Sequence, residues 1–275
     1  MNVRQSDLKT FQRCPLQFKF SKVDGLPRAQ SAALTYGTVM HAAVLEMEEA
    51  QSLEVGLDAF ERYWIDPEAL EVGLTPTEYL KGTSWKKYHE EGPRILRDWW
   101  GIIQWESDDV IAREYTFSVP IGDGHTLDGT IDKLAIRYIA KVDEYVVLVS
   151  DYKTSRREPT YGYLFHDLQF TAYAYATTQP EFWTGIQDGE AIYEAMADRR
   201  RMGEWVQLTG PRRKDAGERN GMHYARLRYA VNAFAATVDM GIFVPNLAGD
   251  VCMYCDFRES CGLLSVEEEA RLMLV

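Results

Sequence analysis

No run of this chain approaches the roughly 20 uncharged apolar residues that cross a bilayer. No phosphate loop of the form Gly-x-x-x-x-Gly-Lys-Ser/Thr is present either. The first absence argues against a membrane partner, and the second against a nucleotide-driven motor within this chain. The N-terminus lacks the apolar stretch of a secretory signal, and Arg4, Asp7, Lys9 and Arg13 charge it instead. Internal repeats and low-complexity tracts are missing as well. A cytosolic (cytoplasmic) protein is the expectation. Cysteine is scarce, with four residues in 275, and the 30 basic residues are outnumbered by 42 acidic ones, for a net charge of −12. That balance excludes a protein that simply coats nucleic acid, but not one with a local basic groove. In a reducing compartment, closely spaced cysteines mean metal or catalysis more often than disulfides.

What is present reads as an α/β protein. Apolar residues make up 46% and charged residues 26%, ordinary proportions for a globular core. Ser6, Leu8, Phe11, Leu16 and Phe18 predict a short helix with Ser6 as N-cap, broken at Cys14-Pro15. Residues 36–63 carry apolar side chains at helical spacing, as one long helix or two. Residues 76–105 read as helical and rich in aromatics (Tyr79, Trp85, Tyr88, Trp99, Trp100, Trp105), suited either to a core or to stacking on unpaired bases. From Asp109 the period shortens. Strands are predicted over 110–119, 126–139 and 145–152, the last a nearly continuous apolar run of the kind buried on both faces. A helix over 167–178, strands over 191–196 and 204–208 and a long helix over 217–240 follow. The implied architecture is a mixed sheet flanked by helices.

The chemistry concentrates at the end of the apolar strand. Residues two apart in a strand share a face, so Asp151 and Lys153 point together while Tyr152 points into the opposite layer. The Tyr152 carbonyl is then free to turn toward whatever Asp151 binds, and Asp132 on the preceding strand can reach the same point. Two carboxylates and a carbonyl are hard oxygen ligands suited to Mg²⁺ or Mn²⁺. A cation held there polarises a phosphodiester, and a lysine beside it stabilises developing charge.

These residues belong to a longer series. Ser6-x-Leu8-x-x-Phe11-x-x-Cys14-Pro15 is followed by Gly37-Thr38-Val39-Met40-His41, then Gly129-Thr130-Ile131-Asp132 and Asp151-Tyr152-Lys153-Thr154. Gln169-Phe170-Thr171-Ala172-Tyr173 and Cys252-x-x-Cys255 with Cys261 close the series. In that order the chain resembles the PD-(D/E)XK nucleases, and within them the RecB-like branch that carries an iron–sulfur cluster, including CRISPR-associated exonucleases. The resemblance implies a restriction-endonuclease-like fold. It implies catalytic roles for Asp132, Asp151 and Lys153, with Gln169 and Tyr173 lining the site from one helical face. It implies a metal held by His41, Asp132, Asp151 and the Tyr152 carbonyl, and the imidazole favours Mn²⁺ over Mg²⁺. Glu114 falls where related nucleases place an extra acid. Ile131 stands where the superfamily usually has a proline.

Four thiolates suit tetrahedral zinc or an iron–sulfur cluster. One cysteine near the start and three near the end resembles the iron–sulfur nucleases, which implies a [4Fe–4S] centre on Cys14, Cys252, Cys255 and Cys261. Such a centre would join both chain ends, with Pro15, Tyr254 and Phe257 packed around it. One nuclease domain over 1–275 follows: a helical portion over 1–105, a catalytic core over 106–240 and a cysteine lobe over 241–275. The expected activity is DNA exonuclease action on single-stranded ends. An integrase, in spacer acquisition, or a helicase would be the protein partner, and a non-catalytic DNA-binding scaffold is the alternative of another class. Between Arg199 and Arg228 nine basic residues face three acidic ones, which points to the phosphate backbone and to Arg212, Arg213 and Lys214 as its contacts.

Overall fold

The computed structural model describes residues 1–27, 31–65, 79, 81–103, 107–246, 248–253 and 255–262. Trp105, Tyr254 and the last 13 positions of the cysteine lobe lie outside the described residues. The helices are α1 (Gln5–Arg13), α2 (Pro15–Phe18), α3 (Ala32–Glu49), α4 (Leu53–Tyr63) and α5 (Trp85–Ile103), then α6 (Tyr161–His166) and α7 (Leu168–Ala176). After these come α8 (Pro180–Trp183), α9 (Gly189–Met196), α10 (Gly221–Asp239), α11 (Gly249–Met253) and α12 (Arg258–Cys261). The strands are β1 (Asn2–Arg4), β2 (Asp109–Gly122), β3 (His125–Ile139), β4 (Glu144–Lys153), β5 (Arg201–Gln207) and β6 (Arg212–Arg219).

They form one mixed six-stranded sheet. β3 runs antiparallel to both β2 and β4, β5 lies parallel to β4, and β6 closes as an antiparallel hairpin with β5. β3 is the long central member, with β2 along one edge. Its other edge is shared end to end by β1, paired at 126–128, and by β4, paired at 133–139. Between those two stretches the sheet forks. The last β3–β4 pair is Lys133 with Ser150, so the chains part where Asp132 and Asp151 begin.

Helices cover both faces. On one, α1, α7 and α10 close over a core that includes Leu8, Val147, Val149, Phe170, Trp205 and Phe234. On the other, α3, α4 and α5 bury Met40, Phe60, Leu96 and Trp99 against Tyr152 and Val206. Trp99 is therefore core, not a stacking platform. Its indole N–H donates to the buried Glu48 carboxylate at 2.9 Å. α5 approaches α4 through Gly92, where a methyl group would overlap the Phe60 ring. Gly92→Ala is expected to destabilise the fold by about 1–3 kcal/mol, read as a lower urea midpoint with an unchanged slope.

Several local expectations are corrected. Residues 191–196 are helix α9, not a strand: Ile192 and Met196 are four apart and both pack on the core. The long helix starts at Gly221, behind an Asn220–His223 capping box, and not at Gly217. The charged run ahead of it is β6, whose strand state comes from pairing with β5. Ser6 is not an N-cap either, since Arg4 holds that position and Ser6 lies in the first turn.

Candidate active site

The fork in the sheet positions the site. β4 brings Asp151 and Lys153 to one face, and the Lys153 ammonium lies 2.6 Å from Asp151 Oδ1. The same oxygen accepts a bond of 2.6 Å from the Gln169 amide, which α7 presents. Gln169 donates also to the Tyr173 hydroxyl at 2.9 Å, one helical turn on. Asp167 caps α7 through the Gln169 backbone N–H and takes an ion pair from Lys9 of α1 at 2.6 Å. Asp151 is thus held by Lys153 of its own strand and by Gln169 of α7.

Asp132 completes the fork from β3. Its carboxylate accepts the backbone N–H of Tyr152, a donor that the parted strand no longer offers to the β3 backbone. His41, from α3, closes the site from the other side. Its Nδ1 lies 3.0 Å from Glu114 Oε1 and its Nε2 3.0 Å from the Tyr152 carbonyl oxygen. Both ring nitrogens face acceptors, so the metal-free ring is satisfied only as imidazolium. Burial lowers the His41 pKa, but the Glu114 hydrogen bond and the charge of Asp132 outweigh it and leave it raised. The site thus favours positive charge at its centre.

Glu114 is the residue that sequence reasoning underweighted. Ligand atoms of His41, Glu114 and Asp132 all lie within 4.8 Å of one another. Glu114 takes a left-handed φ of +42° in the middle of β2, a conformation uncommon for any residue but glycine and rare within a strand. Such outliers persist where the surroundings over-determine them, often at functional sites. Nothing in the alternation of β2 announces it.

The donor set fits a divalent cation: carboxylates of Glu114 and Asp132, an imidazole and a carbonyl, all hard or borderline ligands. Asp151 stands beside this group, engaged by Lys153 and Gln169. Burial, and after it the charge of Asp151, pushes the Asp132 pKa up to about 7, while His41 and Lys153 pull the other way. The raised value means that the protonated carboxyl stabilises the metal-free fold fully below about pH 4, its usual range, and that this contribution is lost as pH rises through about 7. Asp132→Asn cannot ionise. Metal-free, at pH 8, it is expected to melt at least about 2–4 °C above the parent, the shift for about 1 kcal/mol in a chain of this size. The difference should vanish near pH 4, and Mn²⁺ should raise the melting temperature of the parent alone.

The basic trio occupies β6. Asp151 pairs in register with Trp205, and Trp205 with Lys214, which puts Lys214 two ladder steps, roughly 10 Å, across the sheet. Arg212 and Lys214 both bind the Glu158 carboxylate, Lys214 at 2.7 Å. Arg213 lies over the Trp99 ring at 5.5 Å and within 4 Å of Asp108 and Glu204.

The four cysteines, drawn from both ends of the chain, line one cavity beneath α2 together with Phe20, Asn246 and Arg258. None is in a disulfide. The Asn246 backbone N–H points to Cys14 Sγ at 3.4 Å, as donors do around metal-bound thiolates. Among the described residues, no helix is long and apolar enough to cross a membrane.

Comparison with known proteins bears on this geometry. A solved structure described as "Crystal structure of SSO0001" shares 12% identity, covering 96% of this chain and 88% of that one, at a TM-score of 0.40. No curated protein matches the sequence. The model of the PD-(D/E)XK nuclease superfamily matches residues 3–262, which include every residue at the fork and all four cysteines. With that match over nearly its whole length, the chain belongs to the PD-(D/E)XK nuclease superfamily.

Proposed function

We propose that the chain is a metal-dependent DNA exonuclease of the RecB-like iron–sulfur branch, acting on single-stranded ends. The observation that carries this reading is the fork itself, which sets the Asp151–Lys153 pair on the strand beside the His41, Glu114 and Asp132 cluster. A divalent cation held by His41, Glu114, Asp132 and the Tyr152 carbonyl would supply Lewis acidity and neutralise charge on the scissile phosphate. Lys153 stays cationic: burial lowers its pKa, but Asp151 and Asp132 raise it by more. Its ammonium therefore orients water and stabilises charge on the phosphoryl oxygens, and it does not act as a base. Gln169 holds Asp151 in place, and Tyr173, whose oxygen accepts from Gln169, keeps its own proton to donate. Burial and the neighbouring carboxylates hold that phenol protonated.

The cysteine cavity supports the second half of the reading. Four thiolates from both chain ends suit a [4Fe–4S] cluster, which would join α2 to the 246–261 segment without taking part in hydrolysis. The test is digestion of end-labelled single- and double-stranded DNA with Mn²⁺, Mg²⁺ or EDTA. Release of mononucleotides from single-stranded ends, metal-dependent and absent on circular single strands, is the expected result. Cutting of circular DNA at the same rate would replace exonuclease with endonuclease action.

A further inference from the structure

Beside the catalytic cleft lies a second cavity of about 380 Å³, within the range of small-ligand sites. The two share Ala33 and Thr154 in their walls, so they are direct neighbours. The first turn of α3, the N-terminal half of α5 and the loop after β4 form its walls. Lys87 and Arg156 bring positive charge to it, and Glu91 is the one carboxylate among its lining residues. Glu91 in turn binds Arg156 and Arg94.

Three features make this an anion site. First, α3 is 18 residues long, has no side-chain cap hydrogen bond at Ser31 and carries no acid in its first turn. Its N-terminal amides and macrodipole present partial positive charge there. Second, Tyr36 lines the cavity and is only 3% exposed, yet its hydroxyl has no hydrogen-bond partner among the described residues. Burial, and then the Glu91 carboxylate, raises its pKa, so it remains an O–H donor. A buried donor without an acceptor is uncommon in folded proteins, and a ligand is one explanation. Third, Tyr88 packs on Tyr36 with ring centroids 4.5 Å apart and gives the cavity an aromatic wall.

The geometry points to a phosphate subsite for the substrate strand: the cavity takes the phosphodiester next to the one being cut, and the adjoining base lies against Tyr88. Tyr36, Lys87, Arg156 and the α3 amides bind the phosphate, and Glu91 releases Arg156 as it does so. The substrate thus runs from the fork over the N-terminus of α3. This inference rests on the nuclease reading and adds a direction to it.

The test uses the full chain and a fluorescein-labelled oligothymidylate of about a dozen residues, with binding followed by anisotropy in EDTA. Lys87→Ala combined with Arg156→Ala should weaken binding at least about tenfold and flatten the salt slope by about 0.7, the value for one phosphate left unneutralised on a single strand. Tyr36→Phe removes only the unpartnered hydroxyl. It should weaken binding roughly tenfold without lowering the melting temperature. Lys86→Ala, an exposed charge on the same helix outside the cavity, should leave affinity unchanged. Hydrolysis of bis(p-nitrophenyl) phosphate, which carries no second phosphodiester, should keep the parental rate in Lys86→Ala. Unchanged affinity in the double variant, or equal weakening by Lys86→Ala, overturns the subsite. A parent that binds the oligonucleotide but hydrolyses no phosphodiester overturns the nuclease reading alone, and the affinity series still decides the subsite.

Discussion

Asp151→Ala is expected to lower DNA cleavage at least about 10³-fold, at the upper end of the loss seen when one preorganised electrostatic group is removed. The carboxylate stands where two elements meet: it accepts from Lys153 of its own strand and from Gln169 of α7, both at 2.6 Å. Its removal frees the ammonium to swing into solvent and leaves the Gln169 amide without its charged acceptor. Lys153→Ala should cost a similar factor, because no other cation among the described residues sits on Asp151. Both variants should stay folded and keep a cooperative urea transition, because neither side chain belongs to the apolar clusters of the core. The measurement is single-turnover digestion of an end-labelled strand with Mn²⁺. Cleavage by Asp151→Ala at the parental rate would show that the fork is not the active site.

Cys14→Ser should have the largest effect on the folded chain. Protein prepared without oxygen is expected to be brown and to hold iron and acid-labile sulfide near about four each per chain; the variant should hold neither. The cavity gathers Cys14 from near the start of the sequence and three cysteines from near its end, so a centre bound there would close most of the sequence into a loop. Binding free energy of such a centre is folding free energy, and its loss should cost about 3–5 kcal/mol, comparable to removal of a long-loop crosslink. Stoichiometric zinc without sulfide in the parent would overturn the cluster and leave the nuclease reading standing.

Much of the site is legible in the sequence because strand chemistry is periodic. An apolar run ending in Asp151-Tyr152-Lys153 states that two charged groups share a face, and the structure places them 2.6 Å apart. Helical spacing likewise puts Gln169 and Tyr173 on one side of α7, where they hydrogen-bond to each other. Glu114 is harder to weigh, because its reach into the site comes from a left-handed backbone turn that no pattern of side chains encodes. β6 escapes a reading of the sequence for a different reason. Arg212–Arg219 carries six charged residues in eight, and its strand state is imposed by β5 and by ion pairs to Glu158, Asp108 and Glu204. β1 has only three residues, too few to show a period, and exists through its pairing with β3. Local signals find the elements that carry their own burial pattern, and tertiary contacts supply the rest.

The pairing of β1 with residues 126–128 also sets the order in which the chain matures on the ribosome. At about 5–20 residues per second, roughly 6–25 seconds separate the emergence of β1 from that of its partner strand. A similar wait follows before residues 246–261 bring the remaining cysteines to Cys14. Until those partners emerge, Leu8, Phe11 and Phe18 are an apolar segment with no surface to cover, the kind of stretch that nascent-chain chaperones hold. The β2–β3–β4 meander has only short connections and can pair as it emerges. β3 and β4 thus form early and in the open. Docking of α1 onto α7 and α10, which lie far downstream of it, comes late in the folding order.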